Sequence, residues 1–133
     1  MRSSPTNAFR SVYVAGQVLK KLLRTFPDKV EGQEGLAAAK AELIYGALEA
    51  EPDVYRIMAD RRVRSRMNIC FRVALTEDVE GSEQEFLRLA EERGLTGLKG
   101  HRSKKGIRAS NYNSITLEGA RKLADFLREY TKR

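Results

Sequence analysis

Residues 97–113 read G-L-K-G-H-R-S-K-K-G-I-R-A-S-N-Y-N. Apolar residues on both sides of the basic centre predict two short strands, Leu95–Leu98 and Gly106–Tyr112, with a loop between them. The glycines at 97, 100 and 106 permit turns and a close approach of the backbone to a ligand. The stretch therefore predicts two neighbouring strands joined by a positively charged loop.

Three side chains of this stretch are candidates for binding an anion. His101 and Arg102 follow the first strand, and Arg108 lies on the returning strand. A planar guanidinium binds a carboxylate or a phosphate through two parallel hydrogen bonds, and a histidine adds a further donor. These residues alone predict an anion-binding loop and leave its target open.

The chain before this stretch predicts two helices followed by two strands. Apolar positions recur at helical spacing over residues 8–26, which Pro27 closes, and again over residues 36–48. We expect both apolar stripes to face a core. Short strands are expected at Val54–Ile57 and Met67–Val73.

Two further helices complete the pattern. Ser82 and Glu85 form a capping-box pattern that opens a helix ending at Gly94, and Thr116 caps the last helix. The predicted order is α-α-β-β-α-β-β-α. It indicates an α+β fold in which helices cover a small antiparallel or mixed sheet, with residues 1–133 as a single domain.

Composition excludes several classes of protein. The 133 residues carry a formal net charge of +7, and 41% of them are hydrophobic, which is typical of a globular domain. No apolar run approaches the ~20 residues of a membrane-spanning helix, so an integral membrane protein is excluded. One cysteine, Cys70, and one histidine, His101, exclude an internal disulfide, a cysteine-built zinc site and a multi-histidine metal centre. We expect no metal, a reducing cytoplasmic location, and Cys70 as a small buried hydrophobic residue.

Positive charge is concentrated in two segments. Residues 61–72 contain five arginines and no acid, and residues 99–108 also lack acids. After folding, the two segments could meet at one anionic site, whereas charge alone favours an ordinary solvated surface. A nucleic-acid-binding module is a weaker alternative, because the tyrosines are not interleaved with the basic clusters as a stacking platform requires.

The sequence resembles one known family along nearly its whole length. Gly97–Asn113 is similar to the C-terminal signature of phosphoserine aminotransferases, which are pyridoxal-phosphate enzymes of fold type I, class V. Arg64–Arg72 resembles that family's strand R-S-x-M-N-[IV]-x-F-R, and Thr116–Gly119 resembles the start of its last helix. The opening Ser3–Pro5 is similar to the family's N-T-P-P-T segment.

The resemblance implies the fold of the C-terminal small domain of fold-type I aminotransferases and roles for individual residues. It implies that Arg108 pairs with the α-carboxylate of the substrate. It implies that His101 and Arg102 hold the phosphate of phosphoserine. Ser3 and Ser4 would reach the phosphate of a cofactor bound across a dimer.

The resemblance also implies a reaction and partners. The family exchanges an amino group between O-phosphoserine and 2-oxoglutarate, giving 3-phosphohydroxypyruvate and glutamate, in L-serine biosynthesis. Its cofactor-binding lysine belongs to a preceding large domain, on which residues 1–27 would pack as a helix. We therefore expect that this chain does not bind pyridoxal phosphate covalently, is inactive alone, and pairs with a second copy or with a full-length subunit. The alternative is a catalytically inactive partner of a full-length paralogue.

One position of the loop departs from the family pattern. Lys105 stands where the family usually has a second glycine before Gly106. A bulkier side chain there would either change the course of the loop or add one more cation to the site.

Overall fold

The computed structural model describes residues 5–101, 103 and 105–133 of the chain. The chain divides into two compact units, Met1–Leu36 and Ala37–Arg133. The first unit is helical, and the second contains the sheet and the loop of interest.

The first unit contains α1 (Pro5–Thr25) and the beginning of α2 (Val30–Glu49). Pro27 has no amide hydrogen to continue a helix, and it lies in the turn between the two helices. The turn is closed by the backbone amide of Lys29, which donates to the carbonyl oxygen of Phe26 at 2.8 Å. Both helices predicted for this part of the chain are therefore confirmed.

The apolar stripe of α1 does not form a core in the described chain. Val12, Leu19 and Leu23 are 72%, 60% and 61% exposed. The expectation that this stripe forms part of a core is not met among the described residues, and its packing on a large domain stays a prediction. Helical periodicity identifies an apolar face, but it does not identify the surface that covers that face.

A three-stranded antiparallel sheet forms the centre of the second unit, in the order β1–β2–β3. β1 (Tyr55–Ile57) pairs with β2 (Asn68–Val73), and a single 3₁₀ turn, Arg61–Val63, lies in their connection. β2 also pairs with β3 (Ile107–Ser110). The sheet thus places the returning strand of the basic loop beside β2.

Side chains of β2 alternate between the core and the opposite face. Ile69, Phe71 and Val73 are fully buried, whereas Cys70 is half-buried on the other face. The expectation that Cys70 is a buried core residue is therefore wrong. The period of two along a strand places it opposite its apolar neighbours.

Two helices pack with the sheet and with α2 around one core. These are α3 (Val79–Glu92) and α4 (Leu117–Tyr130), and α3 contacts β2 directly. Phe86 of α3 lies at the centre of an aromatic cluster, with ring centroids 5.0–6.4 Å from those of its neighbours, which are Tyr55, Phe71, Phe126 and Tyr130. The predicted fold class, helices covering a small antiparallel sheet, is confirmed.

Two local predictions differ from the structure. The predicted strand Leu95–Leu98 contracts to a single antiparallel bridge between Lys99 and Ile107, because Gly97, with φ of 74°, turns the backbone out of the extended region. The predicted capping box also lies one turn too late. Asp78 caps α3, and its side chain accepts a hydrogen bond from the amide of Gly81 at 3.0 Å.

Candidate functional site

The basic loop is closed at its base by two backbone hydrogen bonds. The amide of Arg108 donates to the carbonyl of Leu98 at 2.8 Å, and the amide of Gly100 donates to the carbonyl of Gly106 at 3.1 Å. Ile107 is 1% exposed and belongs to the core, so the next residue, Arg108, lies on the opposite face of the sheet. The strand therefore anchors the loop and directs Arg108 away from the core.

Gly106 allows the loop to lie against β2. Its φ is 115°, and a Cβ at this position would lie 2.9 Å from Cδ of Arg72 and 3.0 Å from the carbonyl oxygen of Phe71. Glycine is thus required here both for backbone conformation and for space.

The turn of the loop at Gly106, here called the loop hinge, lies beside an ion pair between β2 and α3. Nε of Arg72 lies 2.5 Å from a carboxylate oxygen of Glu83, which also accepts from the amide of Val73 at 3.3 Å. Glu83 is 8% exposed, so the pair is largely removed from solvent. Sequence patterns did not identify Glu83, because an acidic residue in the second turn of a helix is ordinary on a solvated surface.

Arg108 has unused hydrogen-bonding capacity. It is half-buried and lies opposite Cys70 in the β2–β3 register. Its Nε is buried and has no hydrogen-bond partner among the described residues. An unpaired buried donor of a guanidinium is costly, and a bound carboxylate or phosphate would satisfy it.

Arg108 and His101 line the same hollow. This hollow has a volume of about 390 Å³ and lies beside the face of the sheet opposite the core. Ser65, Cys70 and Lys105 also line it. The structure therefore brings together two of the three side chains that the loop sequence singled out. Arg102, the third, lies outside the described residues, as do Ser3 and Ser4.

His101 presents one ring nitrogen to a partner within the loop. Its Nδ1 accepts a hydrogen bond from the amide of Ser103 at 3.3 Å and lies 2.8 Å from the Ser103 hydroxyl. Since Nδ1 accepts, the proton of the neutral ring is on Nε2. The exposed ring can therefore donate a hydrogen bond from Nε2 to an anion.

Lys105 forms an ion pair with Glu80 in the first turn of α3. The hydrogen bond from Lys105, together with its charge, lowers the pKa of the Glu80 carboxyl below its usual value. The extra cation of the loop thus has a carboxylate partner. Lys105 and Glu80 also line a second hollow, of about 340 Å³, on the helix side of the loop.

The arginines of the other basic segment, residues 61–72, do not follow the prediction. Its arginines pair with carboxylates: Arg61 and Arg64 with Glu49, and Arg62 with Asp60. The guanidinium of Arg64 also lies 5.0 Å from the centroid of the Tyr45 ring. The residues of this segment that reach the hollow are uncharged, namely Val63, Ser65, Asn68 and Cys70. The expectation that both sets of basic side chains meet at one site is therefore wrong for these three arginines.

Three lysines lie in the core or beside the basic loop, and their surroundings bear on whether they could hold pyridoxal phosphate. Lys40 is fully buried, and its ammonium donates to the carbonyl oxygens of Tyr112 and Ile115, each at 2.8 Å. Lys105 and Lys99 are accessible beside the loop, but the described lining of the two hollows there includes no Phe, Tyr or Trp ring to stack on the cofactor. We therefore assign no step of a reaction through this cofactor to these residues.

The described part of the chain lacks the features of a metal site and of a membrane span. It contains no group of three or more His, Cys, Asp and Glu residues arranged to hold a metal ion. It contains no helix with the length and hydropathy needed to cross a bilayer.

The chain is similar in sequence to several phosphoserine aminotransferases. It is 42% identical over 121 residues to the enzyme from Drosophila melanogaster, covering 91% of this chain and 33% of that protein. It is 38% identical over 124 residues to the enzyme from Niallia circulans, covering 91% of this chain and 32% of that protein. The chain thus spans about a third of the length of the curated relatives that it matches. No protein-family model matches the chain.

Solved structures give the same relationship. The phosphoserine aminotransferase from Bacillus circulans subsp. alkalophilus matches 98% of this chain with a TM-score of 0.82 and 33% identity, over 34% of its own length. The phosphoserine aminotransferase from Trichomonas vaginalis with bound pyridoxal phosphate matches 70% of this chain with a TM-score of 0.62 and 30% identity, over 26% of its length.

Proposed function

Since the chain is related in sequence and fold to the C-terminal part of phosphoserine aminotransferases, we propose that it is the substrate-binding part of such an enzyme. The complete enzyme would exchange an amino group between O-phosphoserine and 2-oxoglutarate, giving 3-phosphohydroxypyruvate and glutamate, in L-serine biosynthesis. In this proposal the hollow beside the basic loop holds the two anionic ends of phosphoserine. Residues 1–133 would act as one domain, with the helix of residues 1–27 packed on a large domain.

The observation that carries this proposal is the unpaired, buried Nε of Arg108. Arg108 lines a hollow that His101 also lines. A substrate carboxylate on Arg108 would satisfy the buried donor and gain a charge-assisted hydrogen bond. Because the guanidinium is planar and the strand fixes its base, this contact would also orient the substrate.

The phosphate end would lie at the loop. His101 would donate from Nε2 to a phosphate oxygen, since its Nδ1 is already occupied by Ser103. Arg102 would supply a second cation to the same phosphate. Two anionic ends held by different elements would fix both the position and the direction of the substrate.

The proposal extends to a cofactor and to partners, for which the relatives supply the support. Pyridoxal phosphate, when bound to the complete class V enzyme, supplies the electron sink for amino transfer. We assign its covalent attachment to residues outside this sequence, with Ser3 and Ser4 reaching its phosphate across a dimer. The chain would be inactive alone and would pair with a second copy or with a full-length subunit. The free thiol of Cys70 is consistent with a reducing cytoplasmic location.

Binding of O-phosphoserine to the 133-residue chain tests the proposal. His101 is the chain's only histidine, so its ring resonances report on the phosphate end without ambiguity. We expect O-phosphoserine to shift them saturably. We expect Arg108→Ala to weaken binding by about tenfold to a hundredfold, the loss typical of a hydrogen bond to a charged group.

Arg121→Ala is the matched control. Arg121 is an exposed arginine of α4 that lines a different hollow. This variant removes the same charge and is expected to keep the wild-type affinity. Equal losses in both variants would indicate a general charge effect, and an unchanged affinity in Arg108→Ala would refute the carboxylate role.

A further inference from the structure

The proposed function assigns no role to Lys105. It lines the hollow that contains His101 and Arg108, and it also lines the second hollow, which contains Glu80. The two hollows share one wall, formed by Gly100, His101, Lys105, Gly106 and Ile107. A side chain in this wall can reach either hollow by rotation about its own bonds, with the backbone unchanged.

The pairing of Lys105 with Glu80 is easily exchanged. The two side chains are 71% and 62% exposed. Ion pairs with this exposure contribute little, because water competes for both charges and two flexible side chains must be ordered. A glutamate is ordinarily ionised at neutral pH, and the hydrogen bond and charge of Lys105 lower the pKa of the Glu80 carboxyl further.

We infer that Lys105 is an exchangeable cation of the substrate site: Glu80 holds its ammonium when no anion is bound, and a phosphate dianion in the adjoining hollow takes it over. This inference rests on the proposed function, because it assumes that the phosphate end of the substrate lies at the loop. It adds a residue that selects phosphorylated substrates over substrates with a carboxylate alone.

The chemistry of the two anions supports the exchange. A phosphate monoester carries nearly two negative charges at neutral pH and offers three acceptor oxygens, whereas Glu80 carries one charge in an exposed position. A lysine ammonium is a compact charge on a flexible stem, suited to moving between partners without a fixed geometry. Glu80 therefore acts as a competitor for the same cation.

A double-mutant cycle on the 133-residue chain tests the inference, with O-phosphoserine binding followed by the His101 ring resonances. Glu80→Gln removes the competitor and is expected to tighten binding about threefold. Lys105→Gln removes the cation and is expected to weaken binding about fivefold. In the double variant, Glu80→Gln is expected to have no further effect, because the cation for which it competes is absent.

Two controls separate this exchange from other effects. L-Serine, which has the carboxylate but no phosphate, is expected to bind all four proteins equally. Glu92→Gln removes an exposed carboxylate on the same helix, paired with Arg88, and is expected to keep the wild-type affinity.

The outcomes distinguish the inference from the function on which it rests. If Glu80→Gln and Lys105→Gln both weaken binding, the pair is a fixed support for the loop and the exchange is refuted. If both variants bind like the wild type while Arg108→Ala loses affinity, the exchange alone fails. If the wild-type chain shows no saturable binding, or Arg108→Ala binds as tightly as the wild type, the proposed function fails with it.

Discussion

At the scale of single residues, the hinge at Gly106 makes the sharpest demand on side-chain identity. Gly106→Ala would place a methyl group 2.9 Å from Arg72 Cδ and 3.0 Å from the Phe71 carbonyl, at a φ of 115°. We expect a loss of about 2–4 kcal/mol in unfolding free energy, from backbone strain plus overpacking. Urea unfolding measures this loss. O-Phosphoserine binding should also weaken, since the hinge sets the course of the loop.

Gly97→Ala is the matched control for this prediction. Gly97 also has a positive φ, of 74°, but no heavy atom of the residues that the structure describes lies within 4 Å of the added methyl group. We expect this variant to lose only about 1 kcal/mol, the cost of the left-handed conformation alone. Equal losses in the two variants would show that space at Gly106 is not limiting.

The sequence singled out two side chains that share a hollow, but it did not predict the ion pair beside them. His101 and Arg108 were identified from residue type and spacing, and both line one hollow. Glu80 was not identified, because its ion pair with Lys105 joins residues that are 25 positions apart and depends on how α3 packs beside the loop. Residue types indicate which ligand a site can bind, whereas partners distant in sequence depend on the tertiary fold.

At the scale of elements, two of the ion pairs on α3 lie in opposite environments. Glu83 is largely buried, whereas Glu92 pairs with Arg88 on the exposed side of the helix. We expect Glu83→Gln to lower the unfolding free energy by about 1–3 kcal/mol, because it leaves the Arg72 guanidinium with a neutral partner. We expect Glu92→Gln to lower it by less than about 0.5 kcal/mol.

Urea unfolding of the two variants measures both values on the same helix. Losses of similar size would contradict the assignment of Glu83 as the support of the loop hinge. A large loss in Glu83→Gln accompanied by weaker O-phosphoserine binding would link the pair to the site as well as to the fold.

The elements themselves were largely predictable, and their ends were not. Four helices and the strands that form the sheet appear where periodicity indicated them. The strand expected at Leu95–Leu98 is reduced to one bridge by the backbone turn at Gly97, and Asp78 displaces the expected cap at Ser82. Periodicity averages over many residues, whereas ends depend on one dihedral angle or one hydrogen bond.

At the scale of the whole molecule, buried ionisable groups of the unit Ala37–Arg133 determine how its stability responds to pH. The hydroxyl of Tyr55 donates to the carbonyl of Leu127 at 2.7 Å, and burial raises the pKa of Tyr55 well above its usual value. Burial also raises the pKa of Tyr130. Above about pH 10 the unfolded chain releases these protons while the folded chain keeps them, so stability falls as pH rises.

Tyr55→Phe should therefore flatten the alkaline loss of stability. Burial lowers the pKa of Lys40, so Lys40 makes stability rise with pH. This contribution is the same in the wild type and in the tyrosine variants, because all of them retain Lys40. At about pH 8 we expect the variant to be about 1 kcal/mol less stable through the lost hydrogen bond, and this deficit should shrink by about pH 10.5. Urea unfolding at both pH values measures this deficit. The control is Tyr13→Phe, at an exposed position of α1, which is expected to follow the pH dependence of the wild type. A constant deficit would show that Tyr55 ionises equally in both states.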